Sequence, residues 1–287
     1  MTSTGTLITT VLDELEVPYH FVDSEEVVIA IPSVREGQTY FIINTILGVN
    51  SESDTKLCLD KAYTYDVLHT VVRMPKTTKY LDPEGPYEAY RKHSTYQEVI
   101  TAIQSSHSLP TIVKKNAGSL GSNVYCCQTE QAVEAAVLSV FNQHAKQYDH
   151  ICLAQDLVPI QHEWRVLMYQ GKLQFMYLKD TSQAAYSGNL SPLHWQNSSA
   201  QLVTDSKLEK RIEAFLRPIF SVWNLPYAGF DVVEDAAGAL WLIEINSHPM
   251  FSIYLRDNDA TPLVQMYRKI LGDICGKKEK YTESKRQ

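Results

Sequence analysis

The sequence lacks the marks of a membrane-spanning or secreted protein. No apolar run approaches the ~18 residues that a bilayer-spanning helix requires. The first residues, MTSTGTLITTVLDEL, contain no basic segment ahead of an apolar one, which a secretory signal needs. We therefore expect no membrane association and a cytoplasmic location.

Cysteine and positive charge are also scarce. The five cysteines include no C-x-x-C pair, so neither a disulfide framework nor a thiolate zinc site is indicated, and reduced thiols are expected. Cys126 and Cys127 are interpreted as core residues of a strand. Lysine and arginine number 26 against 33 acidic residues, and the net charge of −7 argues against a broad nucleic-acid surface.

The chain does have enough apolar sequence for two to three small domains, since 44% of its 287 residues are hydrophobic. No repeat or low-complexity linker divides it. Near the N-terminus the pattern predicts a helix over 6–17 and two strands over 27–31 and 39–44, joined by the turn PSVREGQ. A second helix is predicted over 53–70.

The central part of the chain predicts a strand over 109–115, a glycine-rich loop NAGSLGSN and a second strand VYCCQ. Thr129 is a suitable N-cap for the helix that follows. A hairpin is predicted to turn at Gln170–Gly171, and Ser206 with Glu209 predicts a capping box at the start of another helix. Because strands, helices and antiparallel hairpins are mixed, the pattern favours the α+β class.

The last predicted hairpin carries an unusual polar pair. In LWLIEINSHP, alternation places Glu244 and Asn246 on one strand face, beside Leu242. If the hairpin turns at Asp235–Gly238, Asp231 on the partner strand faces Leu242, and Glu244 is its diagonal neighbour. Two carboxylates and one amide then converge as oxygen ligands of the kind that suits Mg²⁺. The alternative is a solvent-facing strand side with ordinary polar residues.

The glycine-rich loop indicates a phosphate site. Lys114 ends the preceding strand, and the small residues of 116–123 allow backbone N–H groups to approach a phosphate closely. The loop is not a P-loop, because no Lys-Ser or Lys-Thr follows its second glycine, and it leads into a strand, unlike a dinucleotide fingerprint. A plain hairpin turn has the same pattern. Lys61, in CLDKAYTYDVL, is on its own interpreted as a surface lysine.

The order of three motifs resembles that of the ATP-grasp superfamily over roughly residues 50–255. The motifs are the lysine-flanked loop, the strand after it and the acidic hairpin. The nearest kinds are RimK-type amino-acid ligases and the ligase modules of cyanophycin synthetase and bifunctional glutathione synthetase. The resemblance implies a mixed α/β fold of the α+β class in which two subdomains grip ATP. It divides the chain into a short N-terminal α/β module (1–52), a subdomain with the flap (53–154), a subdomain with the metal site (155–275) and a charged tail (276–287).

The resemblance also implies which residues bind the nucleotide. DKAYTY resembles the helix with a phosphate-binding lysine, PTIVKK the strand whose lysine reaches the α-phosphate and adenine, and AGSLGSNV the glycine flap. LAQDLVP resembles the hinge whose backbone pairs with adenine, and a carboxylate seven residues after the hinge acid binds the ribose. The residues implied are Lys61, Lys114, Gly118, Ser119, Gly121, Gln155, Asp156, Leu157, Val158 and Glu163.

The reacting end of the cleft is implied in the same way. Arg165 matches the arginine placed near the transferred phosphate. Lys179 stands where the family usually has an arginine, and Asn189 matches an Asn-containing substrate loop. His248 either contacts substrate or orders the turn before Pro249. The metal ligands implied by GFDVV and IEIN are Asp231, Glu244 and Asn246.

The function implied by the resemblance is that of an ATP-dependent ligase, which forms a peptide-like bond between a carboxylate and an amine through an acylphosphate. Its cofactors are ATP with one or two Mg²⁺ ions, for which Mn²⁺ can substitute. Its partners are small-molecule or peptide substrates, without nucleic acid or membrane, and self-association into a homo-oligomer is left open. The alternatives are an ATP-grasp phosphotransferase and a non-catalytic nucleotide-binding module.

Overall fold

The N-terminal part of the chain forms a small three-stranded sheet beside one helix. The computed structural model describes residues 3–35, 37–118, 121, 123–145, 148–186, 188 and 191–277. Helix α1 spans Ser3–Glu14, and strands β1 (His20–Phe21), β2 (Val28–Arg35) and β3 (Gln38–Ile43) form an antiparallel sheet in the order β1-β2-β3. Strand β2 runs through most of the predicted turn, because a register irregularity between Ile31 and Arg35 lets it continue past Pro32.

A second sheet contains the predicted flap hairpin. Helices α2 (Glu52–Leu59) and α3 (Lys61–Leu68) precede it. Its elements in chain order are β4 (Thr77–Leu81), α4 (Tyr96–Ser106), β5 (Thr111–Lys115), β6 (Val124–Cys127), α5 (Glu130–Val140) and β7 (Ile151–Asp156). The strands lie in the order β4-β7-β5-β6, and all pairs are antiparallel. Apolar residues of α4 and α5, among them Ile103 and Val137, pack with Val113 and Cys152 of the sheet.

The third sheet has five strands and carries the acidic hairpin. Its elements in chain order are β8 (Ile160–Tyr169), β9 (Lys172–Asp180), β10 (Ser199–Leu202), α6 (Ser206–Leu216), α7 (Ile219–Val222), β11 (Tyr227–Asp235) and β12 (Leu240–Asn246), followed by α8 (Ser252–Asp257) and α9 (Thr261–Ile274). The strand order is β10-β9-β8-β11-β12.

Opposite faces of this sheet pack into different cores. Residues of one face, such as Val166 and Phe230, pack with Leu216 of α6. On the other face, Leu167 and Tyr177 belong to a core that also contains residues of α1, β2, β3, α8 and α9. This second core covers part of that face, and the polar side chains of the candidate site occupy another part.

The predicted helix over 53–70 is broken in two at Asp60. The backbone of Asp60 is extended, with φ −91° and ψ 96°, and its carboxylate accepts a 2.8 Å hydrogen bond from the N–H of Tyr63. Asp60 is therefore the N-cap of α3, a role for which a short acidic side chain is well suited. The break makes Lys61 the first residue of a helix and not a residue of a helix interior.

Helix caps and turns were predicted with mixed success. Thr129 caps α5 as predicted, since its hydroxyl accepts a 3.2 Å hydrogen bond from Ala132 N–H. The predicted capping box at Ser206 is wrong, because Asp205 is the N-cap and accepts hydrogen bonds from the first turn of α6. Gln170 and Gly171 form the β8–β9 turn as predicted, with positive φ values of 49° and 71°.

The α+β class of the fold is confirmed. The division at 52/53, 154/155 and 275/276 stays a prediction, and the second of these boundaries falls within β7. Cys127 is buried as expected, whereas Cys126 is partly exposed. Among the described residues, no helix is both long and apolar enough to cross a membrane.

Candidate active site

The β11–β12 hairpin places two carboxylates directly opposite each other. Asp231 pairs with Glu244, and Gly229 pairs with Asn246, so the three polar side chains share one face of the sheet. The predicted pairing of Asp231 with Leu242 is wrong, because Leu242 pairs with Val232 and its side chain is fully buried. The candidate ligands are therefore closer neighbours than the diagonal arrangement expected from the sequence.

Two local irregularities explain the difference in register. The hairpin loop has three residues, since Asp235 N–H bonds to Ala239 O at 3.0 Å and Gly238 adopts a left-handed φ of 77°. A second irregularity lies next to Asp231, where Ile243 has no partner on β11, as in a β-bulge. This extra residue resets the alternation along β12, and Glu244 consequently faces Asp231.

Asp231 lies between two cationic side chains. Arg165, its neighbour on β8, contacts both carboxylate oxygens, with Nε at 2.5 Å and Nη2 at 3.2 Å. Lys179 Nζ lies 3.0 Å from the same carboxylate and 2.5 Å from Glu163. Burial by itself raises the pKa of Asp231, but the charges of Arg165 and Lys179 outweigh it and lower the pKa below its ordinary value.

The pKa of Glu163 is shifted in the opposite direction, above its ordinary value. Its carboxylate is buried next to Lys179, and burial raises its pKa more than the charge of Lys179 lowers it. The predicted ribose ligand is thus held by an ion pair on the sheet face. The same lysine joins Glu163 to Asp231, so the ribose and metal positions implied by the resemblance are physically connected.

A glycine allows Arg165 to lie flat against the sheet. A Cβ atom at Gly229 would come within 3.0 Å of Arg165 Cδ and 3.0 Å of Pro249 Cβ. The absence of a side chain at this point therefore leaves Arg165 room to reach Asp231 without shifting. His248, the residue before Pro249, is half-buried; its Nδ1 lies 3.0 Å from Ser247 Oγ, and burial lowers its pKa.

Lys61 connects the flap to the acidic hairpin. Its ammonium donates a 2.8 Å hydrogen bond to Gly118 O and lies 3.3 Å from Glu244. Its side chain is only 13% exposed, so the interpretation as a surface lysine is wrong. The capping signal of Asp60, which starts a new helix, was the one sequence feature that could have placed Lys61 at a helix terminus.

Lys114 enters the cleft from the second sheet. Its ammonium donates to Gln155 Oε1 at 2.9 Å, and Gln155 Nε2 donates to Thr77 Oγ1 at 2.9 Å. Burial, followed by the charge of Lys61, lowers the pKa of Lys114 to about 8. Unlike Lys179, Lys114 has a neutral hydrogen-bond partner, and no carboxylate of the described residues forms a direct ion pair with it.

The predicted hinge follows at the end of β7. The N–H of Asp156 already donates to Lys76 O at 2.9 Å, so it is not available to pair with a base. Its carboxylate accepts from His107 Nδ1 at 2.6 Å, and His107 Nε2 lies 2.6 Å from Thr78 Oγ1. The predicted hinge residues Leu157 and Val158 come next in the chain. Neither His107 nor Thr78 was indicated by the sequence, because their contacts form only in the folded chain.

Some predicted site residues can be described only in part. Ser119 and Asn189 lie outside the described residues. Gly121 and Asn123 both have left-handed φ values, 68° and 54°, as a tight flap turn requires. A Cβ atom at Gly118 would lie 2.3 Å from Lys115 Cε, so a side chain there would require the flexible Lys115 side chain to move.

A narrow pocket joins the two sheets at this place. Of its charged walls, Lys61 and Lys114 are cationic and Glu244 is acidic, which leaves a formal charge of +1 and favours an anionic ligand. The ion-paired side chains of Arg165, Lys179, Glu163 and Asp231 lie next to these walls, on the sheet face where Asp231 pairs with Glu244. The pocket walls consist of Cys58, Lys61, Thr64, Tyr65, Met74, Thr77, Lys114, Leu153, Gln155, Ile243, Glu244 and Ile245.

The surroundings of Asp231, Glu244 and Asn246 are compatible with a divalent cation. Within the described part of the chain, no cluster of three or more His, Cys, Asp and Glu side chains is arranged to hold a metal ion. Two carboxylates and an amide remain as a hard oxygen set. The Nδ2 atom of Asn246 is buried and has no hydrogen-bond partner among the described residues. A half-turn of this amide presents Oδ1 at the same place, where a cation is a suitable partner.

Comparison with known proteins assigns the fold. Residues 87–268 match the family model of the RimK-like ATP-grasp domain. Lys61 lies before the matched region. No curated protein sequence matches the chain.

Solved structures of ATP-grasp proteins have the same fold at low sequence identity. The D-alanine–D-alanine ligase of Bacillus anthracis, solved with ATP, is 14% identical with a TM-score of 0.53, over 79% of this chain and 66% of that one. A RiPP-associated ATP-grasp ligase of Chryseobacterium gregarium, solved with ADP and a leader and core peptide, is 13% identical with a TM-score of 0.55, over 80% and 63%.

A third example is a RimK-domain ATP-grasp protein of Sphaerobacter thermophilus, which is 15% identical with a TM-score of 0.50, over 76% of this chain and 69% of that one. The chain thus spans about two thirds of the length of these proteins. The family model covers more than half of the sequence, and its region contains the flap, the hinge and the acidic hairpin. The chain belongs to the RimK-like ATP-grasp family.

Proposed function

We propose that this protein is an ATP-dependent ligase that joins a carboxylate to an amine through an acylphosphate. The main support is a group of charged side chains between two sheets. Lys61 lies beside Glu244, and Arg165 pairs with Asp231. Lys114 is close enough for the charges of Lys61 and Glu244 to affect its pKa. Cations from separate elements can neutralise a polyphosphate, while the carboxylates hold a divalent ion beside it. Family membership supports the same activity.

The residues divide into three roles in this proposal. Lys61 and Lys114 bind the phosphates, and the hinge at Gln155 to Val158 receives the adenine. Asp231, Glu244 and Asn246 fit Mg²⁺, which neutralises phosphate oxygens when it is bound. The flap restricts access of water to the reacting groups.

Arg165 acts where charge develops. A substrate carboxylate oxygen attacks the γ-phosphorus of ATP, ADP leaves, and an acylphosphate forms. An amine then attacks the acyl carbon, loses a proton and displaces phosphate. The guanidinium of Arg165, held over Gly229, can stabilise the equatorial oxygens of the transferred phosphoryl group, and a planar fork suits this better than an ammonium.

The substrate class we propose is an amino acid or a short peptide. Support comes from the relatives, which include a D-alanine–D-alanine ligase and a ligase solved with a leader and core peptide. The chain spans only about two thirds of each, so the identity of the carboxylate and of the amine has to come from experiment.

The test is an assay of ADP formation against pools of amino acids and dipeptides, with products identified by mass spectrometry. A ligase forms ADP and phosphate, with a product lighter than its two substrates by one water, only when carboxylate and amine are both supplied. A phosphorylated single substrate would instead indicate a phosphotransferase. No ADP with any pool would contradict catalysis and favour a nucleotide-binding module.

Two variants make this assay specific. Glu244→Gln removes one candidate metal ligand, and we expect it to abolish ADP formation. Asp66→Asn alters an exposed carboxylate that pairs with Lys79 and is not one of the pocket walls, and we expect wild-type turnover.

A further inference from the structure

A chain of buried polar side chains runs from β4 to Lys114. Thr77 Oγ1 donates to Pro75 O at 2.9 Å and accepts from Gln155 Nε2 at 2.9 Å, and Gln155 Oε1 accepts from Lys114 Nζ at 2.9 Å. Thr77, Gln155 and Lys114 are 9%, 7% and 6% exposed, so their side chains are largely shielded from bulk water. We propose that Thr77 is a positioning residue for nucleotide binding and that it holds Lys114 toward the phosphates through the amide of Gln155.

Hydrogen-bond chemistry fixes the direction of this chain. An ammonium can only donate, so Gln155 has to turn its oxygen toward Lys114 and its NH₂ toward Thr77. The Thr77 hydroxyl gives its one proton to Pro75 O and therefore offers lone pairs to that NH₂. Without the hydroxyl, a buried NH₂ loses its acceptor, and an amide that turned to find another would point donors at Lys114.

A neutral acceptor has a particular advantage at this position. Lys179, on the other sheet, is paired with two carboxylates, Glu163 and Asp231, which cancel its charge locally. Gln155 instead orients Lys114 through one hydrogen bond, and no second partner of the ammonium lies among the described residues, so two of its protons and its positive charge can act on a ligand. This arrangement suits a lysine that has to bind a polyphosphate.

The inference rests on the proposed nucleotide site but adds a residue to it. Thr77 lies before residue 87, where the family match begins, and no motif in the sequence indicates it. Its partner Gln155 was predicted to act through its backbone, whereas the structure shows its side chain engaged on both sides.

The test compares the affinities of four proteins for ADP with excess Mg²⁺, measured by isothermal titration calorimetry. They are the wild type, Thr77→Val, Thr77→Ser and Thr111→Val. Valine keeps the shape of threonine but removes the hydroxyl, and we expect about tenfold weaker binding for Thr77→Val. Thr77→Ser keeps the hydroxyl and should bind within about twofold of the wild type.

Thr111→Val is the matched control. Thr111 is 1% exposed, and its hydroxyl donates to the main-chain oxygen of Gln155 at 2.9 Å, so it is bonded to the same residue but not to the amide. The Thr111→Val variant should have a lower melting temperature than the wild type but the same affinity for ADP.

The outcomes separate the two proposals. Equal ADP affinity for Thr77→Val and the wild type, or the same loss in Thr111→Val, overturns the positioning role of Thr77 while leaving the nucleotide site intact. A wild-type chain that binds neither ADP nor ATP counts against the proposed function itself, and the positioning role falls with it. A loss confined to Thr77→Val and restored in Thr77→Ser supports the inference.

Discussion

Lys61 donates a 2.8 Å hydrogen bond to the main-chain oxygen of Gly118, so the first residue of α3 holds the start of the flap. The same ammonium lies 3.3 Å from Glu244 on the acidic hairpin. One cation therefore connects the two sides of the cleft. Bound phosphates would compete for it with the carbonyl oxygen and the carboxylate.

We expect Lys61→Met to weaken ADP binding by tenfold or more, because a charge-assisted hydrogen bond contributes roughly 1.5–3 kcal/mol. Methionine retains most of the apolar stem of lysine, so the packing changes little. Calorimetry with Mg²⁺ and ADP measures the effect. The control is Lys56→Met on α2, where the lysine is 74% exposed and pairs with Glu52. Equal affinities for the two variants would exclude Lys61 from the phosphate site.

A second prediction concerns stability. Asp231 balances Arg165 and Lys179 in a buried cluster, so Asp231→Asn removes the ion-pair partner of Arg165 and leaves Lys179 paired with Glu163. Removing one partner of a buried ion pair costs about 3–5 kcal/mol, and we expect the free energy of unfolding to fall by about 3 kcal/mol.

Urea denaturation of the nucleotide-free protein measures this change. Asp66→Asn is the control, because Asp66 and Lys79 form an exposed ion pair worth at most about 1 kcal/mol. A wild-type urea midpoint for Asp231→Asn would mean that the carboxylate does not balance the two cations.

The sequence predicted which polar residues of the acidic hairpin share a face, but not how its two strands pair. The alternation of apolar and polar residues, together with the turn at Asp235–Gly238, was enough to place Asp231, Glu244 and Asn246 on one face. The sequence pattern could not give the register between β11 and β12, because alternation does not reveal a three-residue loop or the bulge at Ile243. Both irregularities depend on how the strands pack against their neighbours.

Contacts between distant parts of the chain were harder to predict. Lys61 was assigned a phosphate role through family resemblance alone, since nothing local to it signals a contact with Gly118, 57 residues away. His107 and Thr77 were missed for the same reason. Their partners, Asp156 and Gln155, are supplied by β7, which lies beside β4 in the sheet and near the C-terminal end of α4 in the folded chain.

A third prediction uses the close approach of Arg165 to Gly229. A methyl group at residue 229 would lie 3.0 Å from Arg165 Cδ, so the Arg165 side chain has to shift by a few tenths of an ångström in Gly229→Ala, and we expect this shift to misalign its guanidinium. We expect kcat to fall at least tenfold with the substrates that support ADP formation, while ADP affinity stays within about twofold. Arg165→Lys should have the same pattern, because an ammonium does not reproduce the fork.

A double-mutant cycle shows whether the two changes share one cause. If Gly229→Ala acts through Arg165, adding it to Arg165→Lys should produce little further loss of kcat. Full additivity would mean that the glycine serves another purpose, such as the approach of Pro249.

The last prediction concerns pH. Burial and the neighbouring charge of Lys61 lower the pKa of Lys114 to about 8, while Glu244 acts in the opposite direction. Bound phosphates favour the protonated ammonium, so ADP affinity should be constant below about pH 8 and fall by up to tenfold per pH unit above it. ADP phosphates are already ionised in this range. Calorimetry from about pH 7 to about pH 9.5 measures the slope. Lys114→Met should bind weakly with a flatter profile, and an equal slope in both proteins would assign the titration to another group.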